Sequence, residues 1–88
     1  MATVVATHAV GNMDTWLGAN NRKALFPKFC SSYRIFRHTD TNRVSIVFEN
    51  ADVDKMKAFL GSPEAQAAKA KDTVIDPIEI YIEVEGGK

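Results

Sequence analysis

The 88-residue sequence predicts an α+β domain of order βαββαβ, a four-stranded antiparallel sheet with two helices on one face. Three patterns carry that expectation. The run Ile78-Glu-Ile-Tyr-Ile-Glu-Val-Glu85 alternates apolar and mostly charged side chains, the two-residue period of a strand with unlike faces. Ser31–His38 and Arg43–Glu49 flank the polar turn Thr39-Asp40-Thr41-Asn42 and together predict a hairpin. The two stretches between these strands and the first one place their apolar residues at helical spacing instead.

Taken in order, Thr3 to Val10 is rich in β-branched residues and stops at Gly11-Asn12, which marks a strand, a turn and a helix cap. Asn12 then opens a helix in which Met13, Trp16, Leu17, Asn20 and Ala24 fall within one stripe of about 100°. Pro27 ends that helix, and the hairpin comes next. Asn50 or Asp52 starts a second helix with Val53, Met56, Phe59 and Leu60 on one side. Ser62-Pro63-Glu64 restarts it with a cap, a helix-opening proline and an early acid, and the Ala-rich stretch continues it to Lys71. A loop ending at Pro77 leads into the last strand. Residues 1–85 are expected to form a single domain, and Gly86-Gly87-Lys88 a flexible tail.

This order is the split βαβ pattern of ferredoxin-like folds. If His38 pairs with Arg43, then Tyr33, Ile35, Val44, Ile46 and Phe48 lie under the helices, completed by Ile78, Ile80, Ile82 and Val84. The opposite face carries Arg34, Phe36, His38, Arg43, Ser45, Val47, Glu49, Glu79, Tyr81 and Glu83, a mixture that is poorly suited to water.

Composition narrows the function. Eleven basic residues balance eleven acidic ones, so no sequence-wide basic footprint points to nucleic acid or an anionic membrane. The apolar stretch near the N-terminus is short, holds His8 and has no basic flank, so neither a signal peptide nor a membrane span is expected. A single cysteine, Cys30, makes no internal disulfide, and a cytoplasmic location is the simplest expectation. A chain this small buries only about 60–65% of its unfolded surface, and a partner subunit would help it. The aromatic pattern of an RNA recognition motif is missing from Arg43–Glu49, and Gly11-Asn12-Met13 lacks the paired cysteines of a metal-carrier domain.

Several local matches go further: His8-x-Val10 followed by Asp14-x-Trp16, then Tyr33-Arg34-Ile35-Phe36-Arg37, Val47-Phe48-Glu49, Ser62-Pro63-Glu64 and Pro77-x-Glu79-Ile80. Together they resemble the dimeric α+β barrel superfamily, which includes antibiotic-biosynthesis-type monooxygenases, polyketide-cyclase-like proteins and stress-responsive barrel proteins. The resemblance implies a homodimer in which two sheets pack face to face, through Arg34, Phe36, Val47 and Tyr81 in this sequence. It also implies a pocket between helices and sheet that takes a small hydrophobic or aromatic ligand without a cofactor. Asn20 stands where relatives place an apolar, often aromatic residue. The asparagine, tryptophan and histidine set of haem-degrading members does not transfer residue by residue, because Trp16 lies in the first helix.

Standard catalytic signatures are absent from the sequence, and two histidines give no metal-ligand spacing, so no metal is expected. The pocket candidates are His8, Trp16, Asn20 and Tyr33. Val4, Ala6 and Val10 place His8 on the helix side of strand one, where a neutral imidazole can act as general base, although Val5 and Ala9 suit the opposite facing. The plainer role for His8 is a buried histidine bonded to backbone. Trp16 anchors the core or walls the pocket, Asn20 orients a ligand carbonyl or meets water, and Tyr33 offers a phenol or simply packs. Two readings therefore stand: a cofactor-independent monooxygenase-like or cyclase-like protein with His8 assisting proton removal, and a non-catalytic ligand-binding or stress-associated dimer. A continuous cavity under the helices lined by His8, Trp16 and Asn20 would favour the first, a filled core the second.

Overall fold

In the computed structural model, which describes residues 2–86, strand β1 (Ala2–Val10) is flanked on both sides by partners. One neighbour is β3 (Arg43–Ala51), which in turn pairs with β2 (Ser32–Arg37), and the other is β4 (Val74–Ile82). All pairings are antiparallel and the order is β2-β3-β1-β4, the ferredoxin-like arrangement expected from the sequence. Apart from Gly86, the expected tail lies outside the described residues.

The pleat sorts β1 cleanly. Val4, Ala6, His8 and Val10 are buried, while Thr3, Val5, Thr7 and Ala9 lie half-buried on the other face. Opposite them, Val44, Ile46 and Phe48 of β3 are buried by the same alternation. Phe29 joins this core although the periodicity did not mark it, and its ring lies 5.3 Å from Phe48 and 5.5 Å from Phe59.

Helices α3 (Val53–Leu60) and α4 (Pro63–Lys71) form as expected, each with its own cap. Asp52 Oδ1 accepts from the Lys55 amide at 3.1 Å, and Ser62 Oγ from the Ala65 amide at 3.2 Å. The first helix differs from expectation. Asn12 caps it, but α1 (Met13–Leu17) stops at Gly18, and the chain resumes as α2 (Arg22–Leu25) and a 3₁₀ turn over Phe26–Lys28. Gly18 and the Asn20-Asn21 pair are weak helix formers, and asparagine competes with the helix through local hydrogen bonds. The break changes which side chains point inward: Trp16 stays buried, but Leu17, Asn20 and Ala24 are exposed.

The last strand also begins earlier than expected, at Val74, and passes through Pro77, whose bond to Asp76 is cis. Proline is tolerated because β4 is an edge strand and because the ladder bulges there: Thr7 and Ala9 of β1 face Glu79 and Ile75 of β4. The strand ends at Ile82. Ile82, Val84 and the edge-strand residue Ile35 are consequently exposed rather than in the core, Val84 to 76%. Thr73 ties the two ends of the helical layer together. Its hydroxyl accepts from the Asn12 amide and donates to the Asn12 carbonyl, and it holds a φ of 61° that is unusual for a β-branched residue.

On the face turned away from the helices, Arg34, Val47, Val5 and Tyr81 form one row across the sheet, and Phe36, Ser45, Thr7 and Glu79 the next. The four residues Arg34, Phe36, Val47 and Tyr81 therefore share a face. Phe36 is 48% and Tyr81 55% exposed. Two of the charges are paired within the chain, Arg34 with Glu49 at 3.0 Å and Arg43 with Glu79 at 3.4 Å.

The contrast between Trp16 and its neighbour is testable. Trp16→Ala should cost about 3–5 kcal/mol, the usual loss for a buried aromatic, whereas Leu17→Ala should change stability by about 0.5 kcal/mol or less. Urea melts of the two variants decide it, and equal losses would mean that the first helix is continuous after all.

Candidate functional site

A cavity of about 80 Å³ lies between the sheet and the helical layer. Its floor is Ala6, His8, Ile46 and Phe48 of the sheet, and its roof includes Trp16, Leu25, Phe26 and Met56. The lining is predominantly apolar, interrupted at one end by His8, Asn21, Arg22, Lys69 and Asp72. The volume is several times what one water needs and about half of the roughly 150 Å³ that accommodates benzene in an engineered cavity. The space is partly open to the outside, so a single ring extends into its mouth, and a polycyclic molecule or haem needs considerably more room than the cavity offers.

His8 sits on β1 and is 4% exposed. Its Nδ1 lies 2.9 Å from the carbonyl oxygen of Ala9, and Trp16 packs edge-on with ring centroids 5.7 Å apart. Since a carbonyl cannot donate, the neutral ring carries its hydrogen on Nδ1 and keeps the lone pair on Nε2. Every buried polar side-chain atom among the described residues has a hydrogen-bond partner. Nε2 has none among those residues, so it faces space that water or a ligand can enter. Burial pushes the imidazole below its ordinary value of 6.5; the Ala9 carbonyl opposes this, and the positive charges of Arg22, Arg43 and Lys69 add to it. His8 is thus a neutral hydrogen-bond acceptor at neutral pH.

Arg22 is the residue that sequence reasoning missed. It is 6% exposed, its guanidinium stacks 3.9 Å from the Trp16 ring, and Nη2 donates to the Trp16 carbonyl. Burial lowers its pKa, partly offset by the charge of Asp72. Asp72 is itself buried, and Asn21 Nδ2 donates to its Oδ2 at a long 3.4 Å. A polar residue after a helical stripe normally signals a solvated face, so periodicity sends Arg22 outward. The usable signal was the breaker set Gly18, Asn20 and Asn21, which interrupts the helix and re-aims the side chains after it.

Of the four expected pocket residues, the structure brings two together. His8 and Trp16 line the cavity, but Asn20 and Tyr33 do not. Asn20 lines a separate, more polar depression with Thr15, Lys71 and Asp72, because the helix break turns it to solvent. Tyr33 packs its ring against Phe26 at 5.0 Å, on the far side of the roof. His38 closes the hairpin turn instead, accepting from the amides of Asp40 and Thr41 at 3.0 and 3.1 Å. Among the described residues no three His, Cys, Asp or Glu side chains converge as a metal site, and no helix is long and apolar enough to cross a membrane.

No family model matches the sequence, and no curated protein matches it. Among solved structures, the chain is similar to a protein from Bordetella bronchiseptica provisionally named an antibiotic biosynthesis monooxygenase. The two superpose with a TM-score of 0.71 at 18% identity, over 97% of this chain and 98% of that one. The ferredoxin-like fold implied by the resemblance is therefore the fold observed.

The lowered pKa of His8 has a sign that can be measured. Below about pH 6.5 the unfolded chain binds a proton that the folded chain resists. The contribution of His8 is complete above that pH and is lost as pH falls from there through the folded pKa. His8→Gln should flatten this part of the stability profile in urea melts, and an unchanged slope would show that His8 is not held neutral.

Proposed function

We propose that the protein is a homodimeric small-molecule-binding domain whose site is the cavity under the helices, with His8 as proton acceptor in a cofactor-independent, monooxygenase-like or cyclase-like reaction. The observation that carries this reading is the free Nε2 of a buried, neutral histidine on the lining of a predominantly apolar cavity. An acceptor so placed removes a proton from an activated methylene or an enol, and the apolar walls favour a small hydrophobic or single-ring ligand. If dioxygen is the co-reactant, the methylene becomes a carbonyl, with one oxygen atom retained in the product and the other leaving as water. The name of the Bordetella protein is in keeping with chemistry of this type.

The second reading, passive binding without turnover, draws support from the small cavity volume. Both readings use the same site and the same dimer. Closing the sheet face on a second copy covers Phe36, Val47 and Tyr81. It need not bury unpaired charge at Arg34 and Arg43, because both already have carboxylate partners within the chain.

Light scattering after gel filtration should give twice the chain mass at micromolar concentration, and Val47→Glu should shift it toward the monomer. A wild-type monomer across that range contradicts the dimer. For the site, small enolisable ketones and phenols should raise the melting temperature, and His8→Gln should abolish any oxygen uptake while costing stability only about 1 kcal/mol, the worth of one hydrogen bond. Binding that survives with no turnover in either protein selects the passive reading. If His8→Gln is as damaging as Trp16→Ala and no compound shifts the parent, the cavity is only a packing defect.

A further inference from the structure

Two polar groups with unlike chemistry meet at one end of an apolar cavity. His8 presents a lone pair at Nε2, and Arg22 presents a fixed positive charge on the same lining. A guanidinium has five N–H donors. Among the described residues its one hydrogen-bond acceptor is the Trp16 carbonyl, and no carboxylate lies within 4.0 Å of it in an ion pair. No buried side-chain nitrogen among those residues is left without a partner, so the guanidinium nitrogens that lack one reach open space although the residue is almost wholly buried. The stacking on Trp16 and the bond to its backbone hold the group in place before any ligand arrives. Asp72 does not neutralise it by contact; its Oδ2 is instead engaged by Asn21.

We infer that Arg22 is the anion-binding residue of this cavity, and that the ligand class is small enols and enolisable carbonyl compounds whose proton passes to His8 while the enolate is held on the guanidinium. The inference rests on the cavity being the ligand site. A neutral apolar molecule uses only the walls. A compound that is anionic before entry meets the lone pair of His8, which repels it. A neutral enol or activated methylene suits both groups: the O–H or C–H bond breaks toward Nε2, the electron pair stays on the ligand as an enolate, and the negative oxygen faces Arg22. The charge formed at His8 and the charge formed on the ligand arise together, so the cavity keeps the same total charge throughout. A planar, fixed guanidinium favours a delocalised oxyanion over a localised one, as expected for a preorganised electrostatic site.

The probe is 2,4-pentanedione, which is small and whose enol and enolate absorb differently, with 2-pentanone as the less acidic comparator. Titrating the full chain, in the oligomeric state it holds in solution, should show the enolate band growing with protein concentration near neutral pH, with an ionised fraction at least tenfold above that of the free compound. Arg22→Met keeps the length of the stem and should remove that enrichment while 2-pentanone still binds. Arg22→Lys should retain part of it, because the charge remains and the fork is lost. If both ketones bind the wild type and no enolate band develops, the anion role of Arg22 is wrong and the cavity reading survives. If neither binds, both are wrong. Should Arg22→Met fail to fold, the wild-type band together with the Arg22→Lys result decides the question.

Discussion

Two-sided pairing of β1 is the constraint on which the site depends. A strand bonded to neighbours on both edges has no freedom to rotate its pleat, so Val4, Ala6, His8 and Val10 must all point under the helices. An imidazole in that position gives up its hydration, and its Nδ1–H finds the nearest carbonyl, that of Ala9. The tautomer, the direction of the free lone pair and the lowered basicity are therefore consequences of strand register. Moving the register by one residue would exchange His8 for Thr7 or Ala9 and leave the cavity floor without a titratable group.

The roof is built differently from the floor. Where α3 and α4 are two capped helices of ordinary composition, α1 and α2 have only five and four residues and are separated by Gly18 and two asparagines. Segments that short satisfy few of their own backbone hydrogen bonds and depend on packing, which here means Trp16, Phe26 and the stacked Arg22. This local weakness permits an inward arginine at the cavity end.

Much of the fold was legible because it rests on periods that a sequence records directly. The β-branched run of β1, the alternation in β4, the hairpin turn and the Asp52 and Ser62 caps all lie in local patterns. Three features were not legible. The stripe from Met13 to Ala24 reads as one helix, since periodicity counts spacing and gives little weight to the breakers within it. Pro77 looked like the end of a loop, because only the strand order shows that β4 is an edge where a proline and a bulge are tolerated. Ile82 and Val84 keep a perfect alternation past the point at which the helices cover the sheet, so alternation alone overstates the core. At the site, His8 and Trp16 were found from strand and stripe, while Arg22 depends on a chain reversal that only the assembled fold reveals.

The central claim is that His8 holds a neutral Nδ1–H tautomer with its Nε2 lone pair open to the cavity. Nitrogen-15 NMR of the imidazole rings reads tautomer and protonation together, without an activity assay. At neutral pH one histidine should show a pyrrole-type Nδ1 and a pyridine-type Nε2. That Nε2 signal should move when an enolisable ligand is added. An Nε2–H tautomer, or an imidazolium at that pH, would contradict it.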